Sequence, residues 1–218
     1  MDAFGKLEII GPGYSTGERD FDRMVVGFGT LLHDVGKPST TVCDEEDGRI
    51  RAKGHDKVGG PIAAQFMRRM TDHEELIESV QQMTQEHMFT ASFLGGQNLT
   101  PRSIKRLSRR CSSIELLCYV IQLDKEGRPP MTANLEDVAT LRHMAYELDV
   151  YAKPPVPIMM GRHLIEMGLI PGPQFGDILM SCQLAEDEGA ITDVETGKHF
   201  ISSLLALAEL DSSDIDTK

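Results

Sequence analysis

The chain has four cysteines, and no two of them form a Cys-x-x-Cys pair. Cys43, Cys111, Cys118 and Cys182 therefore offer neither a thiolate zinc site nor a disulfide frame, and read as reduced, mostly buried thiols. The sequence also lacks an apolar run of membrane-spanning length. A secretory leader is not expected either, because Asp2, Lys6 and Glu8 interrupt the stretch from Met1 to Tyr14. A cytoplasmic location with no membrane partner is the expectation. Positive charge is in deficit: 22 Lys and Arg face 34 Asp and Glu, for a net charge of -12. That balance argues against a generally basic nucleic-acid binder but leaves room for a local basic patch. There is no internal repeat. At 218 residues, 40% hydrophobic and 26% charged, the chain suits one soluble globular domain or one and a half.

What is present is helical periodicity. Phe21, Met24, Val25, Phe28, Leu31, Leu32 and Val35 recur at steps of three and four, a single apolar helix face. Gly36 and Pro38 stop that helix. The polar stretch from Ser39 to Lys53 is either a short hairpin or a loop. Gly54 to Asp56 opens a second helix, with Val58, Ile62, Phe66 and Met70 as its apolar stripe. Thr71 with Glu74 reads as a capping box for a third helix, carrying Leu76, Ile77, Val80, Met83 and His87. Thr100-Pro101 and Ser112 or Ser113 start two more, and Asn134 a further one. Pro154-Pro155-Val156-Pro157 is a stiff break. The expectation is an all-α protein: a helical core over 15–152, then a small helical extension over 153–210. The acidic end from Asp211 to Lys218 should fray.

Five residues stand out as metal ligands: His33, Asp34, His55, His87 and Asp124. His33 and Asp34 close the first helix, so both reach one ion lying across its end. Asp124 follows Ile114, Leu117, Cys118 and Ile121 at helical spacing. A carboxylate on an apolar stripe is costly unless something pairs with it, and a metal ion does so. A lone histidine such as His87 on an apolar face is more often a hydrogen-bonded core residue. The adjacent His33-Asp34 pair changes that weighting by supplying an ion for the others to serve. Imidazole mixed with carboxylate suits Mn, Ni, Co, Fe or Mg better than a structural zinc. Arg102, Lys105, Arg106 and Arg109 share one helix face in a stretch without acids, and could track RNA phosphates.

The run Leu31-Leu32-His33-Asp34-Val35-Gly36-Lys37-Pro38 resembles the signature of the HD superfamily of metal-dependent phosphohydrolases. Taken in order with Gly54-His55-Asp56, Gln85-Glu86-His87-Met88 and Gln122-Leu123-Asp124-Lys125, it resembles the HD domain of bacterial CCA-adding tRNA nucleotidyltransferases. The segment from Gly161 through Pro171-Gly172-Pro173-Gln174-Phe175-Gly176 to Ile191 resembles the stretch C-terminal to the HD domain of those enzymes. The likeness covers roughly residues 20–195.

The resemblance implies a divalent-metal phosphohydrolase acting on nucleotide or RNA 3'-end phosphate esters, such as 2',3'-cyclic phosphodiesters or nucleoside monophosphates, with tRNA as a possible partner. It implies Asp34 and Lys37 as catalytic, Lys37 and Arg128 as phosphate contacts, and His55 and His87 as ligands of a second ion or of the phosphate. Two departures bear on this. No Gly-rich segment followed by paired aspartates occurs, so nucleotide addition is not expected of these residues. HD domains also carry a ligand histidine some two dozen residues before the pair, near Ile9 here, yet no histidine precedes His33. The ion is then left to His33, Asp34 and Asp124, with Glu18 as a substitute acid. The alternative expectation is a catalytically silent module that binds tRNA, other RNA or a protein partner.

Overall fold

The computed structural model describes residues 19–93, 99–127 and 133–213. They form two compact units, divided between Pro155 and Val156. Both are helical; the sheet among the described residues is one two-stranded hairpin.

The first unit begins with α1 (Arg19–Leu32), the short α2 (Lys37–Thr40), and strands β1 (Val42–Cys43) and β2 (Ile50–Arg51). The stretch left open between hairpin and loop is thus a hairpin, with Val42 opposite Arg51 and Cys43 opposite Ile50. Arg51 reaches back to Asp44 at 2.6 Å and Asp47 at 2.5 Å, which ties the turn to the second strand. Next come α3 (His55–Met67), α4 (Glu74–Glu86), a 3-10 turn (Thr90–Phe93), α5 (Pro101–Ser108), α6 (Ile114–Glu126) and α7 (Glu136–Glu147).

Two sequence expectations need correction. The capping box from Thr71 to Glu74 does not form: His73 is the N-cap of α4, its Nδ1 accepting from the Leu76 amide at 3.3 Å, while Thr71 Oγ1 accepts from the His73 amide. Val58 and Phe66 of α3 lie exposed, as does Met70 just beyond its end, and the buried face of α3 includes Gly59, Gly60, Ala63, Ala64 and Met67. Small residues win that face because α3 lies tight against α4. A Cβ on Gly60 would stand 2.2 Å from Gln85 Cγ.

The core of this unit is continuous. Val25 and Val26 of α1, Ile77, Val80 and Met83 of α4, Ile104 and Leu107 of α5, and Val138 and Leu141 of α7 surround α6. α6 is buried on nearly every side, through Ile114, Leu116, Leu117, Cys118, Val120, Ile121 and Leu123. Ser113 caps it by accepting from the Leu116 amide, as Thr100 caps α5 by accepting from the Ser103 amide.

The second unit holds α8 (Gly161–Glu166), α9 (Gln174–Glu188) and α10 (Val194–Ser213). Its own core is Met159, Leu164, Ile178, Cys182, Ile191 and Ile201. Glu186 is buried and accepts from the amides of Ile158 and Met159 at 3.1 Å each, which anchors the chain leaving the proline-rich break. α10 runs on to Ser213, past the point where fraying was expected. Three of the four cysteines are buried, Cys43 is exposed, and all are free thiols. No described helix is long and apolar enough to cross a membrane.

Candidate metal centre

Four elements bring the candidate ligands together. His33 and Asp34 sit in the turn that ends α1, His55 is the first residue of α3, His87 closes α4, and Asp124 lies in the last turn of α6. α1 packs on both α4 and α6, and α3 on α4. The closest approach is at Gly36, where a Cβ would stand 2.1 Å from the His55 carbonyl oxygen and 2.8 Å from the Gly59 nitrogen. Only glycine lets the His33-Asp34 turn lie on the start of α3.

Asp34 joins two halves. Its Oδ2 is 3.2 Å from His33 Nε2, which in turn is 3.2 Å from Asp124 Oδ1. Its Oδ1 is 3.2 Å from His55 Nε2 and 3.9 Å from His87 Nε2. His55 and His87 face each other, Nε2 to Nε2, at 3.2 Å. Asp34, His55 and His87 present one ligand atom each within 4.8 Å of one another.

All three rings are held the same way. Nδ1 of His33 lies 2.7 Å from the Thr30 carbonyl, that of His55 2.7 Å from Ala52, and that of His87 2.7 Å from Thr84. A carbonyl only accepts, so Nδ1 carries the hydrogen in each ring and Nε2 of a neutral ring points a lone pair into the cluster. That is the outer hydrogen bond by which metal-ligating histidines are oriented. Lone pairs facing across 3.2 Å repel unless a proton or a metal cation lies between them. Ligand atoms about 2.1 Å from one ion stand about 3 Å from each other, close to the spacings of 3.2 Å found here. The donor set therefore fits a divalent ion.

The electrostatics agree. Burial would lower the His33 pKa, but hydrogen bonds to Asp124 and Asp34 outweigh it and raise it to about 10. The position between those carboxylates thus strongly prefers positive charge. Burial would raise Asp34, yet His33 and Lys37 hold its carboxyl well below the usual carboxylate range. Burial pushes the His87 imidazole down, so it is neutral near pH 7 with its Nε2 open. Lys37 Nζ donates to Asp34 Oδ2 at 2.5 Å while 43% of its side chain remains exposed, so the ammonium stands at the edge of the cluster.

Of the residues expected from sequence, His33, Asp34, His55, His87, Asp124 and Lys37 come together here. Arg128 and Glu18 lie outside the described residues. The basic stripe divides. Arg102 and Arg106 line a cavity of about 400 Å³ with Arg110, whereas Arg109 lines a neighbouring groove that Arg110 also borders, and Lys105 lines neither. Sequence reasoning missed the carbonyls of Thr30, Ala52 and Thr84. Each lies three residues before its histidine, but a carbonyl belongs to every residue type and leaves no mark in a sequence.

Comparison with known proteins gives a match to the HD domain over residues 6–121, just over half of the chain. The chain is 26% identical over 182 residues to an A-adding tRNA nucleotidyltransferase of Deinococcus radiodurans, covering 82% of this chain and 41% of the relative. It is 29% identical over 179 residues to a CC-adding tRNA nucleotidyltransferase of Thermus thermophilus, covering 78% and 38%. The chain thus spans about two fifths of the length of these relatives. No solved structure matches it.

Proposed function

The chain belongs to the HD-domain family, and from that membership we propose a metal-dependent phosphohydrolase acting on nucleotide or RNA-terminal phosphate esters, including 2',3'-cyclic phosphodiesters and nucleoside monophosphates. One observation carries the reading: three histidines with Nδ1 committed to carbonyls turn Nε2 toward a single bridging carboxylate, Asp34.

His33, Asp34 and Asp124 on one side, and His55 and His87 on the other, would hold the ion, as Mn, Ni, Co, Fe or Mg. The chemistry such an ion supplies is acidification of water and neutralisation of phosphoryl charge. The chain's own groups do the rest. Asp34 fixes the two halves relative to each other. The carbonyls of Thr30, Ala52 and Thr84 keep the rings in one tautomer. Lys37, exposed on one side and paired with Asp34 on the other, donates to a phosphoryl oxygen of the substrate as a charge-assisted contact. RNA ends are favoured within the substrate class because both relatives are tRNA nucleotidyltransferases.

The test is hydrolysis of bis-p-nitrophenyl phosphate and of 2',3'-cyclic AMP by protein loaded in turn with each metal. Turnover that a chelator abolishes and added metal restores is the expected result. Absence of bound metal by elemental analysis, with no turnover in any ion, leaves the silent binding module instead.

A further inference from the structure

The cavity of about 400 Å³ beside α5 is lined by Phe89, Thr100, Arg102, Ser103, Arg106 and Arg110. Three arginines on one small cavity are conspicuous in a chain of net charge -12. Arg102 and Arg106 stand on successive turns of α5, four residues or about 6 Å apart along the helix axis, and Arg110 lies just past its end. Arg110 is pre-positioned, its Nε and Nη2 donating to Glu86 at 2.9 and 3.0 Å. Arg106 Nε is shut off from solvent and has no hydrogen-bond partner among the described residues. The Nε itself is closed to a ligand as it is to water, so contact from this side chain falls to its terminal guanidinium nitrogens. The hydroxyls of Thr100 and Ser103 are engaged in capping α5, so recognition falls to the arginines.

We propose that this cavity binds successive phosphates of a single RNA strand, with a base against the Phe89 ring. The volume matches a nucleotide-sized ligand and far exceeds a lone anion. Arginines paired with an aromatic face are how single strands are held without sequence preference. The cavity also shares the end of α4 with the metal centre: Glu86, which holds Arg110, precedes His87, and Phe89 lies two residues beyond it. The proposal rests on the phosphohydrolase reading for the site it feeds, and it narrows the substrate class from any nucleotide to a polynucleotide.

Binding of a fluorescently labelled single-stranded RNA oligomer, read by anisotropy, tests it independently of turnover. The double variant Arg102→Gln/Arg106→Gln should weaken binding about tenfold or more and flatten the salt dependence by about 1.4 in log–log slope, the loss of two single-strand phosphate contacts. Arg23→Gln, an exposed cation on α1, should leave binding unchanged, and hydrolysis of bis-p-nitrophenyl phosphate should persist in both variants. Should the double variant melt early, Arg102→Glu carries the test, because Arg102 is exposed. Unchanged affinity in a folded variant overturns the proposal. So does displacement of the oligomer by inorganic phosphate at equal concentration, which would make the cavity a free-anion site. Arginine-dependent RNA binding without any hydrolysis sustains the cavity and counts against the phosphohydrolase instead.

Discussion

At the scale of single residues, Asp34 has no substitute, because its two oxygens serve different histidines. Asp34→Asn keeps the shape but removes the charge that the ion and His33 both need. Metal affinity and phosphodiester hydrolysis should both be lost while the helical circular dichroism stays near wild type. Retained metal binding in this variant would show that the carboxylate is not a ligand. His33 makes a second prediction. Its pKa is raised to about 10, so the ring is protonated at neutral pH. An ion on Nε2 must displace that proton, and metal binding should therefore release protons and tighten as pH rises toward 10. The sign reverses without metal. A raised folded pKa contributes stability that is fully present below the ordinary value of 6.5 and fades as pH climbs toward 10. Calorimetry in buffers of different ionisation enthalpy reads the proton count, and a count of zero would remove His33 from the ligand set.

At the scale of elements, the site is assembled by close packing rather than by long side chains. Gly36→Ala would drive a methyl into the His55 carbonyl, 2.1 Å from where its Cβ must lie. A backbone atom cannot swing aside, so the turn and α3 must separate. The expected cost is about 3 kcal/mol in urea unfolding, with weakened metal binding, since His55 moves with α3. A second tie holds Asp124. The next residue, Lys125, donates to both oxygens of Asp137, at 2.6 and 2.5 Å, and to the Asn134 carbonyl at 3.2 Å. It pins the end of α6 to the start of α7. Burial would raise Asp137, but Lys125 and Thr90 hold its carboxyl below the ordinary range. Its stabilisation is thus present above the ordinary value of 3.8 and lost as pH falls through the depressed folded value. Asp137→Asn should cost about 2 kcal/mol at neutral pH and nothing in strong acid. An equal cost at both would mean that packing, not the ion pair, is what the substitution removes.

At the scale of the whole molecule, the candidate ligands come from residues 33 to 124, all within the first compact unit. An ion that binds the folded form alone stabilises it by mass action, about 2.7 kcal/mol at a hundredfold excess over its Kd. The added protection should concentrate in residues 20–127, where α1, α3, α4 and α6 meet, and hydrogen exchange with and without Mn would map it. Uniform protection, or none, would place the ion elsewhere.

Much of this was legible in the linear chain. Helical periodicity announced α1, α5, α6 and α7, Thr100 and the Ser112-Ser113 pair marked two starts, and the adjacent His33-Asp34 pair marked the turn where the candidate ligands gather, because those signals are local. Other features needed the folded chain. The buried face of α3 was misjudged because hydrophobicity predicts burial only where there is room, and the contact with α4 admits glycine and alanine instead of Val58 and Phe66. The grouping of candidate ligands around Asp34 is a matter of distances between residues as far apart in sequence as His33 and Asp124, which no spacing rule contains. The same holds for the arginine cavity. Sequence placed Arg102 and Arg106 on a face with Lys105 and Arg109, but it is the end of α4, through Glu86 and Phe89, that sets Arg110 beside them in place of the other two. Composition and periodicity decide which helices form; which of their side chains share one site is decided by how closely the backbones can approach.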